Sequence, residues 1–351
     1  MAKIRHETAG RRVTMVDVAK AAGCSQATVS LVLNNAPGVK LSADLRQRVV
    51  EAARALGYGQ SSIMRRPALA GLHGGCVGFI VDQLATTQEA VNAIEGARQD
   101  TWDDDVTILV AQTQGRTDAE ERVVDRLLRA GVDGIVFMSI FTRKVALSRL
   151  FYDLPVPMVL VNCYTTDNLF PAVVPDEVAG GIRATAALIE RGHRRIGTIT
   201  GEPFMEGMQD RLKGYRRALK QAHIEFDRDL VVEGNWTPSS GYDGAQKLLA
   251  LRDRPTAIFC QNDKMAVGCY DALRDAGLSI PDDVAVVGYD DDEICRHIRP
   301  QLSTLVLPHR AMGAWAVRQF AATSPGTAQP HPMTKLECPF IDRQSIGGPG
   351  A

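Results

Sequence analysis

Three side chains just beyond apolar, strand-like segments, and a fourth on a helical segment, could together hold a hydroxylated ring. Asn262-Asp263 follows a run ending at Gln261, Asp290 follows Val284-Ala-Val-Val-Gly-Tyr289, and Trp236 follows residues 230–233. Arg211 opens the helical segment Arg211-Leu-Lys-Gly-Tyr215. A guanidinium, a carboxylate and an amide can bridge adjacent hydroxyls through charge-assisted bonds. An indole can stack on the apolar C–H face of the same ring. Asp82 and Thr86, behind the first strand-like run, add candidates from a different part of the chain. Each residue also has a plainer reading. Asn262 or Asp290 could cap a helix, Trp236 could be packing, and Arg211 could sit in a surface ion pair. Asp290-Asp291-Asp292 makes a poor metal site, because consecutive side chains diverge. Asp103-Asp104-Asp105 reads as a solvated turn.

The elements that must position these residues alternate along the chain. Strand-like runs fall at 77–81, 106–111, 134–138, 157–161, 195–200, 256–260, 284–288 and 303–307. Helical patterns lie between them at 117–130, 178–191, 208–222, 241–251, 264–276 and 310–322. Continuous apolar strands separated by helices indicate parallel sheets covered on both faces. So many units exceed one compact sheet, so the α/β body is expected to form two lobes. Ligands of wound sheets bind beyond the carboxyl ends of the strands, which is where the candidates stand.

The first 66 residues differ in kind. They carry eleven Lys/Arg against four Asp/Glu, a net of +7, while the remainder holds 29 against 37. A basic head on an acidic body suits a polyanion, since released counterions drive such binding. Thr14-Met-Val-Asp17 resembles a capping box, and Met15, Val18, Ala19 and Ala22 continue as an apolar stripe. Gly23 supplies a left-handed stop, and Ser25 can cap a second helix to about Leu33. Val29, Val32 and Leu33 face inward there, leaving Gln26, Ala27, Ser30, Leu31 and Asn34 outward. A third helix starts at Ser42 and buries Leu45, Val49, Ala52, Ala53 and Leu56. The first two helices form a helix-turn-helix, whose second helix can lie in a major groove with Gln26, Ala27 and Ser30 toward base edges.

The chain has 351 residues, 23% of them charged and 45% apolar, which fits two or three globular domains. Its longest apolar stretches are strand-sized, so no membrane span is expected. The N-terminus carries Lys3, Arg5, His6 and Glu7 with no apolar region behind them, unlike a secretory signal. Arg11-Arg12 hints at twin-arginine export, but Asp17 and Lys20 put charges where an apolar stretch would have to lie. Seven unpatterned cysteines, never as Cys-x-x-Cys, read as reduced core thiols rather than disulfides or a zinc site. Nucleophile-elbow, phosphate-loop, His-Glu-x-x-His and dinucleotide motifs are absent, and the seven histidines show no ligand spacing. No enzyme activity, metal or cofactor is expected.

The run Val13-Thr-Met-Val-Asp-Val-Ala-Lys-Ala-Ala-Gly-Cys-Ser-Gln-Ala-Thr-Val-Ser-Leu-Val-Leu-Asn34 resembles the signature of the lactose/galactose repressor (LacI/GalR) family, and the likeness continues downstream. The resemblance implies a bacterial, cytoplasmic, nucleoid-associated repressor. Two heads of a homodimer would bind double-stranded DNA at a pseudo-palindromic operator, under control of a small sugar-like effector. It places Thr14, Ser25, Thr28 and Asn34 on backbone phosphates and Gln26 and Ala27 on bases, with Ser30 beside them. It assigns Arg211, Trp236, Asn262 and Asp290 to the effector. The segment 188–201 matches a further family landmark, to which no ligand role is assigned.

Two departures qualify the match. Leu31 stands where an arginine is usual and could instead meet a thymine methyl. Pro67 falls at the hinge-helix leucine, and proline breaks a helix interior. Arg65 and Arg66 could still enter a narrow minor groove, with Ile63, Met64 or Leu69 as a wedge, or the linker could simply be flexible. These departures keep open a sugar-binding protein whose head no longer binds DNA; a catalytic α/β protein is the third reading. The analogy divides the chain into a head (1–58), a linker (59–75), a two-lobed periplasmic-binding-protein-like core (76–343) and a tail (344–351). Lobe one takes about 76–174 and 304–328, and lobe two about 175–303 and 329–343. Gly-Pro-Gly near the end leaves no room for an added assembly helix, which favours a dimer.

Overall fold

The computed structural model describes residues 14–33, 42–56, 75–84, 88–320 and 330–347. Three helices come first among the described residues: α1 (Met15–Ala22), α2 (Gln26–Leu33) and α3 (Ala43–Ala55). The expected capping box is present. Thr14 N donates to Asp17 Oδ2 at 2.8 Å, while Asp17 N donates to Thr14 Oγ1 at 3.4 Å. Gly23 stops α1 at φ +64°, a conformation that costs little only without a Cβ. Thr28 N donates to Ser25 Oγ at 3.1 Å, and Leu45 N to Ser42 Oγ at 3.3 Å. Val18, Ala19, Ala22, Val29, Val32, Val49 and Ala53 make a small core. Leu56 does not join it: at 38% exposure it lies beyond the last turn of α3.

The body continues as β1 (Cys76–Val81), α4 (Gln88–Asp100), β2 (Thr107–Gln112), α5 (Thr117–Ala130), β3 (Gly134–Lys144), α6 (Arg149–Tyr152), β4 (Met158–Tyr164) and β5 (Ala172–Pro175). Then come α7 (Glu177–Glu190), β6 (Ile196–Thr200), α8 (Glu206–Gln221), β7 (Val231–Glu233), α9 (Pro238–Leu249), β8 (Ala257–Cys260), α10 (Asp263–Asp275) and β9 (Ala285–Val287). The last described elements are β10 (Thr304–Leu305), α11 (His309–Gln319), β11 (Thr334–Leu336) and β12 (Phe340–Ile341).

Two parallel sheets result, ordered β11-β5-β4-β3-β1-β2 and β7-β6-β8-β9. Both are doubly wound. In the first, Val77, Phe79, Val136 and Val159 pack under α4 and α11, while Ile80, Ile135, Phe137 and Leu160 pack under α5 and α6. In the second, Ile199, Ile258 and Val286 face α9 and α10, and Phe259, Ala285 and Val287 face α7 and α8. The partner helices approach closely through reciprocal glycines. A Cβ on Gly181 would lie 2.3 Å from the Arg211 carbonyl oxygen, and one on Gly214 2.4 Å from that of Val178.

One expected boundary moves. β11 pairs with β5 and so extends the first sheet, whereas the family analogy places 329–343 in lobe two. The chain returns only with β12, which pairs antiparallel with β10 beside the second sheet. Residues 304–307 also stay with that sheet, through the Val287–Ser303 and Asp290–Val306 bridges, and lobe one resumes with α11 packed on α4. A three-residue edge strand offers too little apolar sequence to declare its lobe.

Candidate functional site

A cavity of about 220 Å³ opens between the lobes. Glu89 of α4, Ile140, Phe141 and Thr142 of β3 and Asn162 of β4 line it from one side. Glu177, Met205, Arg211, Trp236, Asn262, Lys264 and Asp290 line it from the other. The structure therefore brings together Arg211, Trp236, Asn262 and Asp290: the last three stand just beyond the carboxyl ends of their strands, whereas Arg211, expected to open its helix, lies in the second turn of α8, which begins at Glu206.

Arg211 is no surface ion pair. At 5% exposure it donates from Nε and Nη2 to both oxygens of Glu177, at 2.8 and 2.9 Å, and from Nη1 to the Gln261 carbonyl. Its guanidinium lies 3.8 Å over the Tyr289 ring and 3.8 Å from Asp290 Oδ1. Burial works against its charge, but Glu177, with Tyr289 and Asp290 behind it, holds the guanidinium's pKa above its ordinary value. Glu177 does not stand out in the sequence: an acid in the first turn of a helix looks like dipole compensation.

Asn262 does what the plain reading says and more. Its Oδ1 caps α10 by accepting from Met265 N at 2.8 Å, and its Nδ2 donates to the Trp236 carbonyl at 3.0 Å. Trp236, at φ +67°, is half-buried, and its indole Nε1 donates to Met205 Sδ at 3.0 Å. Gly201 makes room for that ring, since a Cβ there would fall 1.8 Å from the indole. The landmark segment thus ends on a residue that shapes the cleft.

Asp290 caps no helix. Its backbone takes φ +120°, with its N–H donating to Leu305 O at 2.8 Å, which turns the carboxyl toward Arg211. Desolvation drives this carboxyl well above the usual range. Arg211 pulls it down, and Asp263, Glu89 and Asp292 push it up again. The loop is held by Asp263, which accepts from Asp292 N at 2.9 Å and from Thr304 Oγ1 at 2.6 Å. Burial pushes Asp263 up to about 7.

Asp82 does not line the cleft. Its carboxylate accepts from Ile140 N (2.9 Å), Ser139 Oγ (2.9 Å) and Arg143 Nη2 (3.2 Å), so it braces the irregular stretch of β3 that does. Asn162, at φ +58°, clamps the same stretch: it donates to Ile140 O at 3.0 Å and accepts from Thr142 Oγ1 at 2.6 Å. Thr86 lies outside the described residues. Across the cleft, Glu206 of α8 accepts from Lys144 N at 3.2 Å and from the Tyr164 hydroxyl at 2.9 Å. Burial and Glu206 push that phenol up to about 12, so it stays a donor.

In the head, Gln26 is exposed at the start of α2, while Thr14 and Ser25 are exposed beside the helix termini they cap. Thr28 is half-buried, with its hydroxyl 2.9 Å from that of Ser25. Ala27, Ser30 and Leu31 lie on α2 and are placed by their backbone alone. Asn34, Arg65, Arg66 and Pro67 lie outside the described residues.

Comparison with known proteins agrees with this architecture. Residues 14–61 match the model for bacterial regulatory proteins of the lacI family, and residues 185–346 match a periplasmic binding protein-like domain. The ribose operon repressor of Haemophilus influenzae is 32% identical over 333 residues, which cover 95% of this chain and 98% of that one. Catabolite control protein A of Priestia megaterium is 33% identical, covering 87% and 91%. Among solved structures, a complex of the transcriptional regulator CelR with cellobiose superposes with a TM-score of 0.65 at 28% identity, covering 95% of this chain and all of that one. With a capped helix-turn-helix ahead of two wound lobes, and relatives at this identity along nearly its whole length, the chain belongs to the lacI family of bacterial regulatory proteins.

Proposed function

We propose that this regulator is a cytoplasmic, nucleoid-associated transcriptional repressor, acting as a homodimer on a pseudo-palindromic operator and controlled by a small sugar-like effector in the interlobe cleft. One observation carries the reading: the same chain joins a capped helix-turn-helix, with Gln26 exposed, to a cavity lined from both lobes. The repressor names of its relatives, and the cellobiose in one structural neighbour, support it. Ligand that binds unequally to the open and closed arrangements of the lobes shifts their closure. The spacing of the two heads changes with it, and so does operator affinity. The basic head supplies a salt-dependent, sequence-independent share of the binding.

Selection from randomised duplexes, then gel shift with and without effector, tests the reading. A site should emerge whose occupancy the effector alters, and the effector should be recovered chemically unchanged. Indifference to every duplex overturns it. Gln26→Ala separates this from a sugar-binding protein with an idle head: site preference is lost while effector affinity stays the same.

A further inference from the structure

The described lining of the cleft carries three carboxylates, Glu89, Glu177 and Asp290, against two cations, Arg211 and Lys264. Arg211 spends three of its five N–H donors on Glu177 and the Gln261 carbonyl, and Glu177 balances its charge. Lys264 is exposed, and its charge acts on Asp292, whose carboxyl it draws down against burial. The carboxylates are less well served. Glu89 Oε2 is buried with no hydrogen-bond partner among the described residues. Asp290 lies 3.8 Å from Arg211, beyond hydrogen-bond reach. A buried acceptor without a donor is unfavourable until an incoming O–H or N–H meets it. Space is limited as well: about 220 Å³ is below the roughly 300–1,000 Å³ of drug-sized sites and holds about seven waters. Trp236, Phe141 and Leu307 supply apolar walls.

We propose that the effector is a single-ring polyol, neutral or carrying an amine, and that Glu89 and Asp290 make the cleft reject its phosphorylated forms. The inference rests on the effector reading of the cleft. Hydroxyl or ammonium donors satisfy Glu89 from lobe one and Asp290 from lobe two at once, so the ligand that relieves both also ties the lobes together. A phosphate monoester brings a charge of about −1.5 to −2 and no added donor. It would meet the acceptor oxygens of Glu89 and Asp290 in a site whose buried cation is already neutralised by Glu177. Glu89 is therefore a specificity-determining residue that reaches the ring from α4.

Calorimetric titration of the full-length dimer with matched probes tests this: D-glucose, D-glucosamine and D-glucose 6-phosphate, then D-ribose and D-ribose 5-phosphate. At least one neutral or amine ring should bind, with its phosphate roughly a hundredfold weaker. In Glu89→Gln the ring should lose about tenfold and the phosphate gain about tenfold, closing the gap. If that variant fails to fold by thermal melting, Glu89→Asp serves instead: it keeps the charge but shortens the reach, so ring affinity falls while the phosphate stays excluded. A phosphate that binds as well as its parent overturns the inference, as does silence from every unphosphorylated ring, an unchanged gap in folded Glu89→Gln, or undiminished ring affinity in Glu89→Asp. A phosphate response abolished by Asp290→Ala overturns the charge argument alone and leaves the cleft as the effector site.

Discussion

An arginine at 5% exposure requires a counter-charge inside the protein, and Glu177 supplies it through two bonds. Removing one partner of such a pair leaves the other charge buried alone, which costs about 3–5 kcal/mol. Glu177→Gln is therefore expected to lower unfolding free energy by that amount in denaturant titrations, and to abolish effector binding because Arg211 loses its orientation. Asp263 makes a second prediction at this scale. Its pKa rises from the ordinary carboxylate value to about 7 in the folded chain. The stability tied to its proton is complete below about pH 4 and is lost as pH climbs through 7. Asp263→Asn should flatten that part of a stability–pH profile, read as melting temperature between pH 4 and 7. His309 has the opposite sign: burial and the Arg211 charge depress it to about 3, so its contribution is lost as pH falls from about 6.5. Asp290 and Trp236 were legible in the sequence because each lies behind a strand-like run, and Arg211 because it heads the run Arg211-Leu-Lys-Gly-Tyr215, although α8 starts five residues earlier. Glu177 and Glu89 were not, since a carboxylate in a first helical turn has an ordinary electrostatic use.

Among the helices, α7 and α8 set the site through contact at two glycines. Because a Cβ on Gly181 would press the Arg211 carbonyl, Gly181→Ala is expected to cost about 1–3 kcal/mol and to displace the guanidinium. Loss of effector affinity beyond the loss of stability, measured by calorimetry well below the melting transition, would show the displacement. In the head, Thr14→Ala removes one half of the α1 capping box and should cost about 1 kcal/mol. The strongly periodic elements were readable to within a few residues; α5, for instance, spans the expected 117–130. α4 was not among the helices expected, because its buried face is built from Ala90, Ala93, Gly96 and Ala97, which give little apolar contrast. β5 and β11 were missed for a related reason: four and three residues beside prolines carry no periodic signal.

At the scale of the whole molecule, Glu206 joins the lobes without any ligand, through the Lys144 backbone and the Tyr164 hydroxyl. Glu206→Ala should open the unliganded protein, measurable as a larger radius of gyration in X-ray scattering, and should weaken effector affinity by roughly tenfold, since closure must then be driven by binding alone. The two-lobed plan was legible from the number of wound units, but the assignment of its last segments was not. That interleaving has a consequence for how the polypeptide can be divided. Since β11 completes the first sheet and β12 pairs beside the second, neither half of the cleft is encoded by one uninterrupted stretch. A fragment stopped before residue 330 would keep the head intact while leaving both halves short of a strand, so excising a single lobe for study would require splicing distant parts of the gene.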